Sequence, residues 1–231
     1  MKSFVYGLLV AVILVLIGFG VKSYLDVKNI EARPSVFKKN ENLSKNLSLT
    51  NGDYALNVYA SSLNWQASKL FVKGYTDAGS IKFQEGLVQI DENGLVTIGE
   101  FVIDMTSLVS LSTGSGKGQD ILTKHLKSAD FFDVEKYNTS QLSIKSVVLN
   151  ESGKDYSVVA DLTIKGITNP IEFNAEIFSI NESTVQAIAE IVVDRTLWDV
   201  RYGSNKFFDN LGDNVIDDNF KIELELLANK T

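Results

Sequence analysis

Residues 125–137, reading HLKSADFFDVEKY, hold most of what this chain could use for chemistry. Two adjacent phenylalanines, Phe131 and Phe132, stand between Asp130 and Asp133, and the only histidine, His125, opens the stretch. A histidine changes charge near neutrality, so His125 with Asp130 or Asp133 is a candidate acid–base pair for a small hydrophobic substrate. A lone histidine at a loop–helix junction more often serves as a cap or hydrogen-bonding group, and both readings stay open. The Phe-Phe-Asp triplet returns as Phe207, Phe208 and Asp209. Buried aromatics beside fixed carboxylates suggest an apolar site with a shaped entrance.

Other constellations carry less. One histidine and no cysteine rule out a multi-histidine or thiolate metal site, a disulfide and a cysteine nucleophile. There is no G-x-S-x-G elbow, P-loop or dinucleotide fingerprint; the glycines at 114, 116 and 118 have the wrong spacing and read as a loop. No cofactor is implied. Asp209, Asp213, Asp217 and Asp218, with Asn210, Asn214 and Asn219, offer the oxygen ligands calcium takes. Leu211 and Val215 break the EF-hand order, so a solvated turn is the better reading and no metal is assigned. Asp194, Arg195 and Arg201 read first as ion pairs at a rim, with contact to an anionic head group as the alternative. The net charge of −7 and the lack of a basic stripe argue against nucleic acid as a partner.

The elements that must position these residues are strands. From residue 54 apolar and polar side chains alternate: Leu63, Trp65 and Ala67; Ile81 and Phe83; Leu142, Ile144 and Ser146; Tyr156 through Ile164; Ile171, Phe173 and Ala175; Ala187, Ala189 and Ile191; Phe220 through Leu226. Period two places one set on each face of a strand. Turn signals such as Asn93-Gly94, Ser152-Gly153 and Lys165-Gly166 divide the runs. About eight antiparallel strands with one apolar face favour a barrel, because closure removes exposed edges. Its inner face mixes large residues (Trp65, Phe83, Phe101, Tyr156, Phe173) with alanines at 67, 160, 175, 187 and 189. An eight-stranded barrel can either fill itself or hold one small ligand, and the pattern leaves both open. Residues 105–127 read as an interruption, with a short helix over 120–127 capped by Asp120 and presenting Leu122 and Leu126 on one face.

Three regions follow: residues 1–22, 23–50 and 51–231. Residues 4–21 are uniformly apolar between Lys2 and Lys22, which predicts a transmembrane signal anchor in preference to a cleaved signal peptide. Residues 23–50 are polar and read as a tether. Residues 51–231 form the barrel.

Several blocks together resemble the YceI-like family, lipocalin-like barrels that bind polyisoprenoid and related lipids. They are Gly79-Ser80-Ile81-Lys82-Phe83, the run 99–108, the run 125–134, the hairpin 161–170, Asp194 through Trp198, and the last loop with Arg201-Tyr202-Gly203-Ser204 and 207–213. Ala60-Ser61 stands where many members carry His-Ser, Gln119-Asp120 where many carry Arg-Asp, and Tyr137-Asn138 where an aromatic-Pro pair is usual. The resemblance implies a long apolar cavity, whose expected lining is Trp65, Phe83, Phe101, Phe131, Phe132, Tyr156, Phe173 and Trp198, with His125 beside them. It implies an isoprenoid or other lipid as partner and export to the cell envelope, with the barrel in the periplasm or secreted if the leader is cut. A homodimer stays open. The expected function is binding, not catalysis, for carriage, storage or sequestration. The alternatives are the His125–Asp enzyme and an envelope module that binds protein, the latter with a filled barrel.

Overall fold

The computed structural model describes residues 49–112, 118–151, 153 and 155–231. The expected anchor over 1–22 and nearly all of the expected tether lie outside these residues. Nine antiparallel strands form one closed sheet: β1 (Gly52–Leu56), β2 (Ser62–Lys69), β3 (Thr76–Ile90), β4 (Val96–Ser110), β5 (Thr139–Leu149), β6 (Tyr156–Ile164), β7 (Ile167–Asn181), β8 (Thr184–Asp194) and β9 (Ile216–Lys230). One helix, α1 (Gln119–Lys127), joins β4 to β5. The barrel closes through β3 and β4.

The strands occupy eight positions, as the sequence predicts, because β1 and β2 share one. Both pair with β3 on one side and β9 on the other, β1 near Val88 and Lys230, β2 near Gly79 and Ile222. The break between them is a turn held by Asn57, whose Oδ1 accepts from the backbone of Tyr59 and Ala60. Across the break, the Leu227 N–H would lack a strand partner; Ser61 Oγ accepts it at 3.0 Å.

The alternating runs are strands with their apolar members inward. Leu63, Trp65, Val158, Ala160, Leu162, Ile171, Ala175, Ala189, Ile191, Leu224 and Leu226 are all buried. Between β6 and β7, Lys165 and Gly166 take φ of 52° and 73°, the left-handed pair that a two-residue hairpin needs.

Three local expectations are corrected. Residues 105–110 do not leave the sheet: β4 runs to Ser110, but 105–108 have no partner in β3 where the register jumps between Ser80 and Lys82. The inward phase therefore moves from Met105 to Leu108, and alternation stops being visible. A second bulge between Ile144 and Ser146 turns Ser146 outward and brings Val147 in. The helix starts at Gln119 after Gly118, so Asp120 sits in its first turn beside the positive helix end and does not cap it.

Candidate functional site

The barrel interior holds two cavities in tandem. The first lies towards the turns joining β3 to β4, β5 to β6 and β7 to β8. It encloses about 680 Å³, its opening included, among residues such as Val88, Phe101, Val147, Phe173, Ala187 and Leu226. Its lining carries no polar side chain. The second lies at the α1 end and spans about 790 Å³, its opening to solvent included, among Trp65, Ile81, Met105, Leu126, Phe131, Phe132, Phe220 and their neighbours. Along β3 and β6, Phe83 and Ala160, both buried, lie between the two linings, while on β4, β5 and β9 the linings adjoin. Phe83 meets Phe101 edge-on at 6.3 Å.

Alanines make the first cavity. Ala175 pairs with Ala189 across β7 and β8, and Ala187 faces Leu226. Three small residues on neighbouring strands leave wall without bulk, whereas the room left by Gly99 on β4 is taken by Ile144.

The second cavity has a lid. Helix α1 buries Leu126, and the chain then turns so that Phe131 and Phe132 enter the lining. The turn is tight: the N–H groups of Phe131 and Asp133 both donate to Ser128 O, and Asp133 adopts φ of 47°, a conformation aspartate tolerates better than most residues. The Tyr137 N–H returns to Asp133 O at 2.8 Å. The spacing of Phe131, Phe132 and Asp133 thus serves one bend, with the aromatics inward and the carboxylate on the turn.

His125 stands behind this lid. Its Nε2 is 3.3 Å from Asp130 Oδ2, and its ring meets Phe131 and Tyr202 edge-on at 4.9 and 4.6 Å. Asp133 is not its partner. His125 is not a lining residue of either cavity, so a molecule inside meets Phe131 in place of the imidazole. The acid–base reading needs the histidine to face the cavity, and that condition is unmet.

Of the residues expected to line one site, Trp65, Phe131 and Phe132 share the α1-end cavity, and Phe101 and Phe173 share the other. Phe83 lies between them. Tyr156 packs half-buried against the core, and burial raises its hydroxyl pKa. Trp198 is sealed in the core, with Nε1 donating to Leu162 O at 2.9 Å.

Arg195 lines the α1-end cavity but has nothing left to offer a ligand. Nε donates to Asp217 O, Nη1 to Val200 O and Tyr202 O, and Nη2 to Ile216 O and Asp218 Oδ1. All five N–H groups have partners, which ties the loop after β8 to the start of β9. Burial pulls its pKa down, and Asp218, Asp194 and Asp217 oppose that. Arg201 pairs outside with Asp199 at 2.5 Å. In the acidic run, Asp218 is engaged by Arg195 and Lys206, and among the described residues no group of three or more metal-type ligands forms. Ser140 is the lining residue that the sequence conceals: it belongs to an inward phase, but a lone serine between Thr139 and Gln141 gives no signal.

The model of the YceI-like domain family matches residues 54–228. A UPF0312 protein of Staphylococcus aureus is 31% identical over 147 residues, covering 63% of this chain and 78% of that one. A UPF0312 protein of Vibrio campbellii is 31% identical over 131 residues, covering 54% of this chain and 62% of its own length. Among solved structures, Burkholderia cenocepacia BcnA superposes with a TM-score of 0.57 at 18% identity, covering 74% of this chain and 98% of that one. A polyisoprenoid-binding domain from Saccharophagus degradans, implicated in plant cell wall breakdown, gives 0.55 at 16%, covering 77% and 98%. These two likenesses concern the fold alone.

Proposed function

The chain belongs to the YceI-like domain family, and from that premise we propose that it binds a long apolar ligand, an isoprenoid or related lipid, inside its barrel. The observation that carries this is the interior itself. Two apolar cavities lie in line along one barrel, where a protein-binding module would have a filled core. Each CH₂ taken from water into such a wall contributes roughly 0.8 kcal/mol, so a long chain binds with few polar contacts. The Saccharophagus degradans domain of like fold is a polyisoprenoid-binding one, which supports the same ligand class.

Binding without chemistry suits carriage, storage or sequestration. The proposed setting is the bacterial cell envelope, with residues 1–22 as membrane anchor or leader and residues 23–50 as tether. This part rests on the sequence; among the described residues no helix is long and apolar enough to cross a membrane. Native mass spectrometry of the purified protein, followed by solvent extraction, tests the proposal. A co-purifying or added isoprenoid should appear as a discrete mass that disappears on unfolding. A protein that never takes up lipid overturns it.

A further inference from the structure

The Phe-Phe-Asp triplet occurs twice, each time three residues after a serine: Ser128 precedes Phe131, Phe132 and Asp133, and Ser204 precedes Phe207, Phe208 and Asp209. The two turns are built alike. Ser128 O accepts from Phe131 and Asp133, and Ser204 O accepts from Phe207 and Phe208 at 3.2 and 3.1 Å. Their aromatics go opposite ways. The first pair enters the α1-end cavity, whereas Phe207 and Phe208 stay 43% and 48% exposed on a loop whose residues 205–210 are all exposed. The base of that loop is fixed: Gly203 and Ser204 are buried, and the Ile216 N–H donates to Gly203 O at 2.8 Å. Val215, next to Ile216, accepts from Leu70, which with Phe71 forms a second exposed apolar tip on the loop after β2. Tyr202 joins the first loop to the lid through the rings of His125 and Phe131, 4.6 and 5.0 Å away.

These tips stand at the lidded end of the barrel, and shape and charge limit what covers them. A stable protein partner needs roughly 800 Å² of fitted surface on each side, and a protruding loop tip with every residue exposed offers no such face. A bilayer needs none, because phenylalanine and leucine side chains settle into the boundary between head groups and acyl chains. Charges at the base of the loop are met in pairs, Arg201 with Asp199 and Lys206 with Asp194 and Asp218, and the Arg201 guanidinium lies 4.9 Å over the Phe207 ring. The opposite end of the barrel is the wrong face. Its turns expose Leu95, Val148 and Leu149 beside Asp53, Asp91, Glu92, Glu151, Asp155 and Glu182, with Lys230 the one cation there among the described residues. Carboxylates are costly to press into a bilayer boundary. The described chain also enters and leaves at that end: Gly52 pairs with Ile90, and the Thr231 N–H donates to Asp53 O, so neither covers the α1 end. Even with residues 4–21 anchored in the same bilayer, the roughly 27 residues before Leu49 reach about 90 Å at full extension, against about 50 Å for a 15-residue strand.

Resting on the reading that the barrel takes up a lipid, we propose that its α1 end docks on a lipid bilayer, with Phe207 and Phe208 inserted and Leu70 and Phe71 on the neighbouring loop. Docking sets the lidded cavity against the source of its ligand, so that an apolar chain passes between bilayer and barrel without crossing water. Insertion of apolar side chains carries the contact. Because the charges at the base of the loop are already paired, anionic lipid is not required.

The test puts a fluorescent reporter at the tip. The full chain carrying Phe207→Trp is mixed with phosphatidylcholine vesicles brominated on their acyl chains, and Val148→Trp reports on the opposite end. Trp65 and Trp198 are both buried, and the unaltered chain supplies their background. Emission from Phe207→Trp should shift to the blue and be quenched, while Val148→Trp keeps its emission. Phe208→Trp takes its place if Phe207→Trp does not fold. With Phe207→Ser and Phe208→Ser combined, farnesol should pass from barrel to vesicles about tenfold more slowly, with the amount bound at saturation unchanged, since burying one phenylalanine is worth about that factor. An unquenched tip, quenching only when phosphatidylglycerol is added, or equal quenching at Val148→Trp overturns the docking. So does a blue shift of the tip reporter without vesicles that grows with protein concentration, which would seat a second copy of the chain on the loop. Farnesol uptake with an unquenched tip overturns the docking and leaves the proposed function standing; a quenched tip on a chain that takes up no farnesol does the reverse.

Discussion

At the scale of single residues, the cavity walls depend on side chains whose absence matters as much as their presence. Gly79 leaves the room that the Trp65 indole occupies, and a Cβ there would fall 2.0 Å from Val109 O. A backbone oxygen inside the sheet cannot retreat, so Gly79→Ala should cost about 3 kcal/mol, at the upper end for overpacking. An unchanged urea midpoint would refute the packing described for Trp65. Asp194 gives a pH signature. Burial works against its carboxylate, but hydrogen bonds from Lys206 and Thr196 outweigh burial and hold its pKa below the ordinary value. With the native value below the unfolded one, the linked stability is present above the ordinary carboxylate range and lost as pH falls through the depressed native value. Lys206→Met removes the strongest compensating bond and lets the native pKa rise towards the unfolded one, so stability should fall near neutral pH and the acid-linked loss should become smaller; unfolding midpoints of variant and unaltered protein from about pH 7 to about pH 2 should differ most at neutral pH and converge in acid. Residues such as Trp65, Phe131 and Phe173 were legible because large apolar side chains stand out in an alternating run. Arg195 and Ser140 were not: whether an arginine faces carbonyls or solvent depends on residues 200–218 folding back over it, which spacing does not encode.

At the scale of elements, hairpins were legible and bulges were not. Lys165-Gly166 announces its turn because only certain residues adopt φ above zero, whereas the register jumps in β3–β4 and β5–β6 arise from how neighbouring strands meet. At the break in the first strand, beside the bonds made by Asn57, one hydroxyl meets the Leu227 N–H. Ser61→Ala would leave the Leu227 N–H unmet in a half-buried place, and a loss of about 1–2 kcal/mol in thermal or urea unfolding is expected. The helix is the weakly held element. It buries only Leu126, and Ser110 N–H donating to Thr123 Oγ1 is one of the few bonds tying it to β4. Amides of α1 should therefore exchange with solvent through local opening, well before those of β8 and β9, which pair along their full overlap. Protection of α1 equal to that of β8 would argue against a lid through which a ligand enters.

At the scale of the whole molecule, the open question is how one chain-like ligand relates to two cavities. Neither cavity alone runs the length of the barrel, and the layer between them contains Phe83, the largest side chain there, beside Ala160, which is fully buried. An isoprenoid long enough to reach both ends passes beside Phe83, whose ring meets Phe101 edge-on. Whether the barrel is filled or hollow could not be read from the sequence, because alanines and aromatics on one face fit either; in the fold, Ala175, Ala187 and Ala189 come together on β7 and β8 and line the first cavity. Phe83→Ala would join the two spaces. It should cost about 3–5 kcal/mol of stability, as buried phenylalanine truncations do, yet lengthen the longest chain retained. The measurement is native mass spectrometry of the variant and the unaltered protein after exposure to the same mixture of isoprenoid alcohols of graded length. A shift of the bound population to longer chains, with the shortest chains bound as before, places the length limit at Phe83. An unshifted distribution would show that the ligand already passes Phe83 or never reaches it, and the limit would then lie at the lid formed by α1, Phe131 and Phe132.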